Sequence, residues 1–183
     1  MKIYRRLLAP VMLLCSALFC CGYHSCDREE VHMYMDPDSW EEMQLPTKYV
    51  VSIHEVIRHK SGDSVERTVA SYFGGDVTIH SMQLLDSSEI RYIQAVPIAG
   101  DQGFYNLRFD LTERGTKLWL NLSVQHKGEQ LAFVVDGTVY RGFVARQLAS
   151  DEASSVIVDG PFDQATALAI QNNSKYNYFK MRK

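Results

Sequence analysis

Six histidines, four cysteines and 22 carboxylates are the residues from which a metal site or a reactive centre would have to be built. His54 and His59 are five residues apart, which puts them on opposite faces of an extended chain, and no Cys, Asp or Glu cluster beside them completes a zinc set. Asp36-Pro37-Asp38 with Glu41 and Glu42 offers oxygens to calcium, but the glycine and the ligand register of a calcium loop are missing. All four cysteines (Cys15, Cys20, Cys21, Cys26) fall in the first 26 residues, and no serine stands in Gly-x-Ser-x-Gly. The rest of the chain therefore lacks a marked nucleophile. Gly74-Gly75 has neither the helix start nor the lysine of a phosphate loop and reads as a turn. Asp136, just before Gly137, is placed as a hairpin-tip residue with a structural role. The expectation is a protein with no catalytic residues, no metal and no cofactor.

Aromatic side chains are the better candidates for binding. Tyr140 and Phe143 follow the hairpin, and Tyr176, Tyr178 and Phe179 lie near the C-terminus. Aromatics beside an open strand edge hold an extended peptide by strand addition, so Tyr140 and Phe143 are the candidate peptide-binding residues. The plainer alternative is that both rings belong to the core.

The N-terminus supplies an address. Lys2, Arg5 and Arg6 precede LLAPVMLLCSALFCC (7–21), an uncharged apolar run that covers about 22 Å as a helix, short of the ~30 Å hydrocarbon core. It is expected to be an export signal, not a permanent span. Leu18, three residues before Cys21, and Gly22 after it resemble the lipobox of bacterial lipoproteins, which makes Cys21 the expected lipidation site, with Cys20 and Cys26 as alternatives. A membrane partner through the lipid anchor follows from that resemblance. Removing residues 1–21 leaves 16 Lys+Arg against 22 Asp+Glu, a net charge of −6. An acidic remainder without a basic, aromatic stripe argues against a nucleic-acid partner.

The elements follow from period and punctuation. Residues 22–47 are polar, contain two prolines and show no sustained period, as a tether would. From Lys48, KYVVSIHEVI alternates with apolar residues on both faces, predicting a strand buried on each side. ERTVASYF and VTIHSMQLL predict two more strands around Gly74-Gly75. DSSEIRYIQAVP predicts one helical turn capped by Ser87 or Ser88, then a strand. In GFYNLRFDLT, Tyr105, Leu107, Phe109 and Leu111 form the core face. Thr112 caps a helix whose apolar set is Leu111, Leu118, Trp119, Leu122 and Val124, with Gly128 ending it. Asp136-Gly137, set between GEQLAFVV and TVYRGFVA, is a type I′ turn signal, because both central positions need positive φ. VIVDGPF predicts a last strand, and Asp163 caps a helix at 163–172 with Phe162, Ala165, Leu168 and Ala169 inward. The terminal NSKYNYFKMRK is expected to add a closing strand. Strands dominate and two helices interrupt them singly. The expected class is α+β, an antiparallel β-sheet with helices packed on one face.

The order Leu107-x-Phe109-x-Leu111-Thr112-x-x-Gly115, a helix, Leu131-Ala132-Phe133-Val134-Val135-Asp136-Gly137-x-Val139, then Ile157-x-x-Gly160-x-Phe162 and Ala165-x-x-Leu168-Ala169, resembles the head subdomain of the first periplasmic domain of SecD/SecDF protein-export proteins. The resemblance spans about residues 77–172. Tyr140-Arg141-Gly142-Phe143 departs from the small residue and proline usual after that hairpin, and Ser150-Asp151-Glu152-Ala153 replaces a Gly-Gly. It implies an α+β domain at 48–183 with a SecD head-like part at about 77–172, facing the periplasm or the exterior, that binds an unfolded polypeptide or a partner envelope protein instead of transporting it. The alternative is a structural or assembly lipoprotein with no role in protein export.

Overall fold

Asp136 and Gly137 both have positive φ, 47° and 79°, as a type I′ hairpin requires, and this turn sets the register of the central sheet. The Asp136 carboxylate accepts from the backbone N–H groups of Tyr49 and Val50, each at 2.8 Å, pinning the entry to the first strand. The computed structural model describes residues 45–100, 103–146 and 155–182. Within the compact unit Pro46–Lys183, the order is β1 (Val51–Glu55), β2 (Glu66–Ala70), β3 (Asp76–His80), β4 (Leu85–Asp86), a 3₁₀ turn (Ser87–Glu89), β5 (Ile90–Pro97), β6 (Phe104–Leu111), α1 (Glu113–Gln125), β7 (Gln130–Val135), β8 (Thr138–Val144), β9 (Ser155–Asp163) and α2 (Gln164–Met181).

The strands form sheets of order β4-β1-β7-β8 and β5-β6-β9 and a β2–β3 hairpin, with antiparallel ladders throughout. One core lies between the two larger sheets and both helices: Ile53, Leu107, Phe109, Leu131, Phe133, Phe162 and Ile170 are fully buried in it. A smaller cluster of Val69, Ile79, Ala132, Val134 and Val139 fills the other face of the central sheet beneath the β2–β3 hairpin. Cover on both faces explains why β7 reads Leu-Ala-Phe-Val-Val without alternation. The α+β class with antiparallel sheets is thus the observed one.

The Thr-x-x-Gly pattern has a double cause. Thr112 Oγ1 accepts from Gly115 N at 2.9 Å as the cap of α1 and donates to the Glu89 carboxylate at 2.5 Å. A Cβ on Gly115 would stand 2.5 Å from the Glu89 carbonyl oxygen, so the helix can approach the 3₁₀ turn only with glycine there. Asp163 caps α2 by accepting from Thr166 N at 2.9 Å.

Three expectations need correction. The 3₁₀ turn is capped by Asp86, which accepts from Ser88 N, not by a serine. Val124 is 60% exposed, since α1 turns it away from the Trp119–Leu122 stripe. The C-terminal segment is helix to Met181, not a closing strand, and α2 buries Ala167, Ile170, Ser174 and Asn177 instead of Ala165 and Leu168. Asn177 Nδ2 donates to the Lys48 carbonyl at 2.7 Å. The buried face of α2 carries two polar residues, so its apolar pattern misstates its orientation.

Candidate functional site

The central sheet ends at β8 and the second sheet ends at β9, so each offers a strand edge without a ladder partner among the described residues. The start of the β8 edge is occupied: Tyr72 N donates to Val139 O at 2.8 Å, and Ser71 bridges Val139. Beyond it, Arg141–Val144 borders an open groove of about 850 Å³ that is also lined by Ser155–Ile157 and Asp159 of β9, Asn106 and Arg108 of β6 and Trp119 of α1. Four residues of strand edge extend roughly 13 Å, room for a short run of paired peptide.

Trp119 is the notable group in that wall. It is 2% exposed, its ring lies parallel to that of Phe143 (6.2 Å between centroids, 5° between planes), and its buried Nε1–H has no acceptor among the described residues. A buried unpaired donor costs about 1–3 kcal/mol, recoverable when a carbonyl reaches it. Arg108, Arg141 and Arg146 make the groove cationic, with Asp159 as the counter-charge, 2.9 Å from Arg146. That pair is largely exposed and contributes little to stability.

The two aromatic residues singled out in the sequence occupy different environments. Phe143 is half-buried and forms part of the groove wall. Tyr140 is 5% exposed, inserted at a β-bulge where Phe133 faces Arg141 while Val134 faces Val139. The extra residue turns Tyr140 into the main core. There it stacks on Phe162 (5.3 Å) and Tyr72 (4.4 Å), and its hydroxyl donates to Asp163 Oδ2. Burial, reinforced by that carboxylate, pushes the Tyr140 hydroxyl up to about 12. Burial acts to raise the Asp163 carboxyl, but hydrogen bonds from Tyr140 and Thr166 outweigh it and hold the group below the usual range. Tyr140 thus braces the β8 edge against the cap of α2 and presents no ring to a ligand.

His54 is buried, with Nδ1 at 2.8 Å from His80 O and Nε2 at 3.0 Å from Ser52 Oγ. Burial is the main cause lowering its pKa, and Arg67 and His80 add to it against the His80 carbonyl. The Ser52–His54 pair has the contact of a nucleophile and base but is closed from solvent, at 7% and 4% exposure. His59 is exposed and apart from it. Gly74 and Gly75 have φ of 93° and 78° in the β2–β3 turn. Tyr176, Tyr178 and Phe179 lie on α2, not in the groove. Cys21, its alternatives Cys20 and Cys26, and the 36–42 acidic cluster lie outside the described residues. No described helix is long and apolar enough to cross a membrane.

Two arrangements had no sequence signal. Tyr72 and Phe73 protrude at 56% and 72% exposure, held edge to face at 5.4 Å. Glu55, His126 and Glu129 bring three ligand atoms within 4.8 Å of one another. Their separation in sequence hides that cluster.

No family model matches the chain, and no curated protein matches it. Among solved structures it is similar to a chain of SecDF, described as a membrane component that enhances protein export, at 15% identity and a TM-score of 0.51, covering 77% of this chain and 69% of that one. It is also similar to SecDF in a super-membrane-facing form, at 18% identity and a TM-score of 0.50, covering 77% of this chain but only 21% of that one. The open groove is therefore carried on a SecD-like fold.

Proposed function

We propose that this chain is a non-enzymatic envelope lipoprotein, anchored through Cys21, whose SecD-like domain binds an extended segment of polypeptide by strand addition along the open half of β8. The observation that carries this reading is the Arg141–Val144 edge bordering a groove lined by Trp119, whose buried indole N–H has no acceptor among the described residues. An extended chain entering the groove would supply carbonyls to the edge amides and to that indole, and its apolar side chains would pack on Phe143. Such affinity comes from backbone groups that every sequence has, which suits an unfolded substrate or an exposed segment of an envelope partner. A transient grip corresponds to dissociation constants of roughly micromolar to millimolar, about 4–8 kcal/mol.

The test is NMR titration of the isotope-labelled chain in detergent with a reduced, unfolded protein and, separately, with the same protein folded. Trp40→Phe identifies the Trp119 indole resonance. The expected result is a shift of the Trp119 Nε1–H and of the 141–144 amides with the unfolded partner only. No shift with either at about millimolar concentration would overturn the reading and favour a structural or assembly lipoprotein with no role in export.

A further inference from the structure

We propose that Glu55, His126 and Glu129 form a binding site for a borderline divalent cation of the zinc class. Their ligand atoms, one imidazole nitrogen and two carboxylate oxygens, all lie within 4.8 Å of one another. The backbone holds them there from two directions. Glu55 ends β1 and pairs with Leu131 of β7, which brings it alongside the turn that leads into β7. That turn is closed by Glu129 N donating to His126 O at 3.0 Å, with Gly128 at φ 80°. His126 is the C-cap of α1, its N–H donating to Leu122 O, and its side chain is only 16% exposed.

The electrostatics favour a cation. Two carboxylates converge, and the carbonyl end of α1 adds partial negative charge. Arg58 and Lys127 line the recess beside Glu55 and Glu129, yet neither lies within ion-pairing distance of either glutamate among the described residues. His126 Nδ1 is 2.7 Å from Glu129 Oε2, whereas Glu55 has no hydrogen-bond or ion-pair partner there. A tetrahedral ion with ligands about 2.0–2.1 Å away would set them roughly 3.3 Å apart, so small rotations of the two glutamates complete the shell, with water as the fourth ligand. The nitrogen ligand selects zinc-like ions over calcium or magnesium. Binding would tie the end of β1 to the α1–β7 turn, independently of the groove at β8.

The experiment uses the full chain in detergent, stripped of metal, with its cysteines alkylated so that thiolates do not compete. Cobalt(II) is titrated as a spectroscopic probe, followed by displacement with zinc(II). One equivalent is expected to bind, with visible bands of a nitrogen–oxygen site and a change in the His126 ring resonances. Glu55→Gln and His126→Ala should each weaken binding about a hundredfold, while His59→Ala leaves it unchanged. Should His126→Ala fail to fold, Glu129→Gln serves, because that side chain is 55% exposed. Equal affinity in these variants would place the metal elsewhere and overturn the assignment. So would absence of binding at about 1 mM, which would leave His126 paired to Glu129 through a proton alone.

Discussion

Gly115→Ala sets helix propensity against tertiary contact, and the structure decides the sign. In an isolated helix alanine is favoured over glycine by about 1 kcal/mol. Gly115 lies inside α1 and is buried, but an added methyl would stand 2.5 Å from the Glu89 carbonyl oxygen and 3.2 Å from the Glu89 Cβ. The oxygen belongs to backbone, so α1 and the 3₁₀ turn must separate. That separation lengthens the 3.0 Å bond from Thr112 N to Glu89 O and disturbs the Thr112 hydroxyl on the Glu89 carboxylate. Weakening these two bonds costs about 1–1.5 and 1.5–3 kcal/mol at most, and overpacking of this kind costs about 1–3 kcal/mol in all. After the helical gain of about 1 kcal/mol, the net expectation is destabilisation of about 1 kcal/mol, or a melting point lower by roughly 2–5 °C. The assay is denaturant unfolding of the full chain, read as a lower midpoint at unchanged slope. Gly142→Ala is the control: its close contact, also 2.5 Å, is the end of the Gln130 side chain, which can swing away, so the change should stay within about 0.5 kcal/mol. A Gly115→Ala midpoint equal to or above the parent's would refute the claim that close approach, not helix formation, selects glycine.

Gly137→Val forces a β-branched residue to φ 79° and brings its Cβ to 3.2 Å from Arg67 Nη2; it should lower stability by at least about 1 kcal/mol, and an unchanged melting curve would contradict the turn assignment. Tyr140 is favoured neutral in the fold, so its contribution is complete below its ordinary value near 10 and is lost as pH rises through about 12. Tyr140→Phe should therefore flatten the alkaline loss of stability, and parallel pH–stability curves for the two proteins would count against the bond to Asp163. Removing that donor should also let the Asp163 carboxyl titrate closer to its ordinary range, so that less stability is lost in Tyr140→Phe than in the parent as pH falls through and below the usual carboxylate range. Cys21→Ala should abolish acyl labelling and move the protein from membrane to soluble fractions; retained labelling would transfer the site to Cys20 or Cys26.

Much of the fold was legible because it is encoded by neighbours in sequence. Asp136-Gly137 announces its turn since few residues accept positive φ, and Thr112 and Asp163 announce helix starts since their oxygens reach amides three residues on. Alternation in β6 marked Leu107, Phe109 and Leu111 as buried, and they are. α2 was harder. Its inward face includes Ser174 and Asn177, whose hydroxyl and amide N–H donate to backbone carbonyls, so hydrophobic period alone mislocated the face and ended the helix early.

The site belongs to tertiary structure almost entirely. By itself the sequence determined an α+β chain, most of its strands and turns, the helix starts at Thr112 and Asp163, and a pair of aromatics after the hairpin, because dihedral preference and solvent alternation act over two to four residues. Only the folded chain decided that one of those aromatics is turned inward by a one-residue bulge, while the other stacks on Trp119 beside an open edge. Only the packing of β8, β9 and α1 leaves the Trp119 N–H unmatched among the described residues, and only the β1–β7 register brings Glu55 to His126 and Glu129. Contacts between residues far apart in the chain depend on register and on the docking of whole elements, and neither quantity is written into any local stretch of residues.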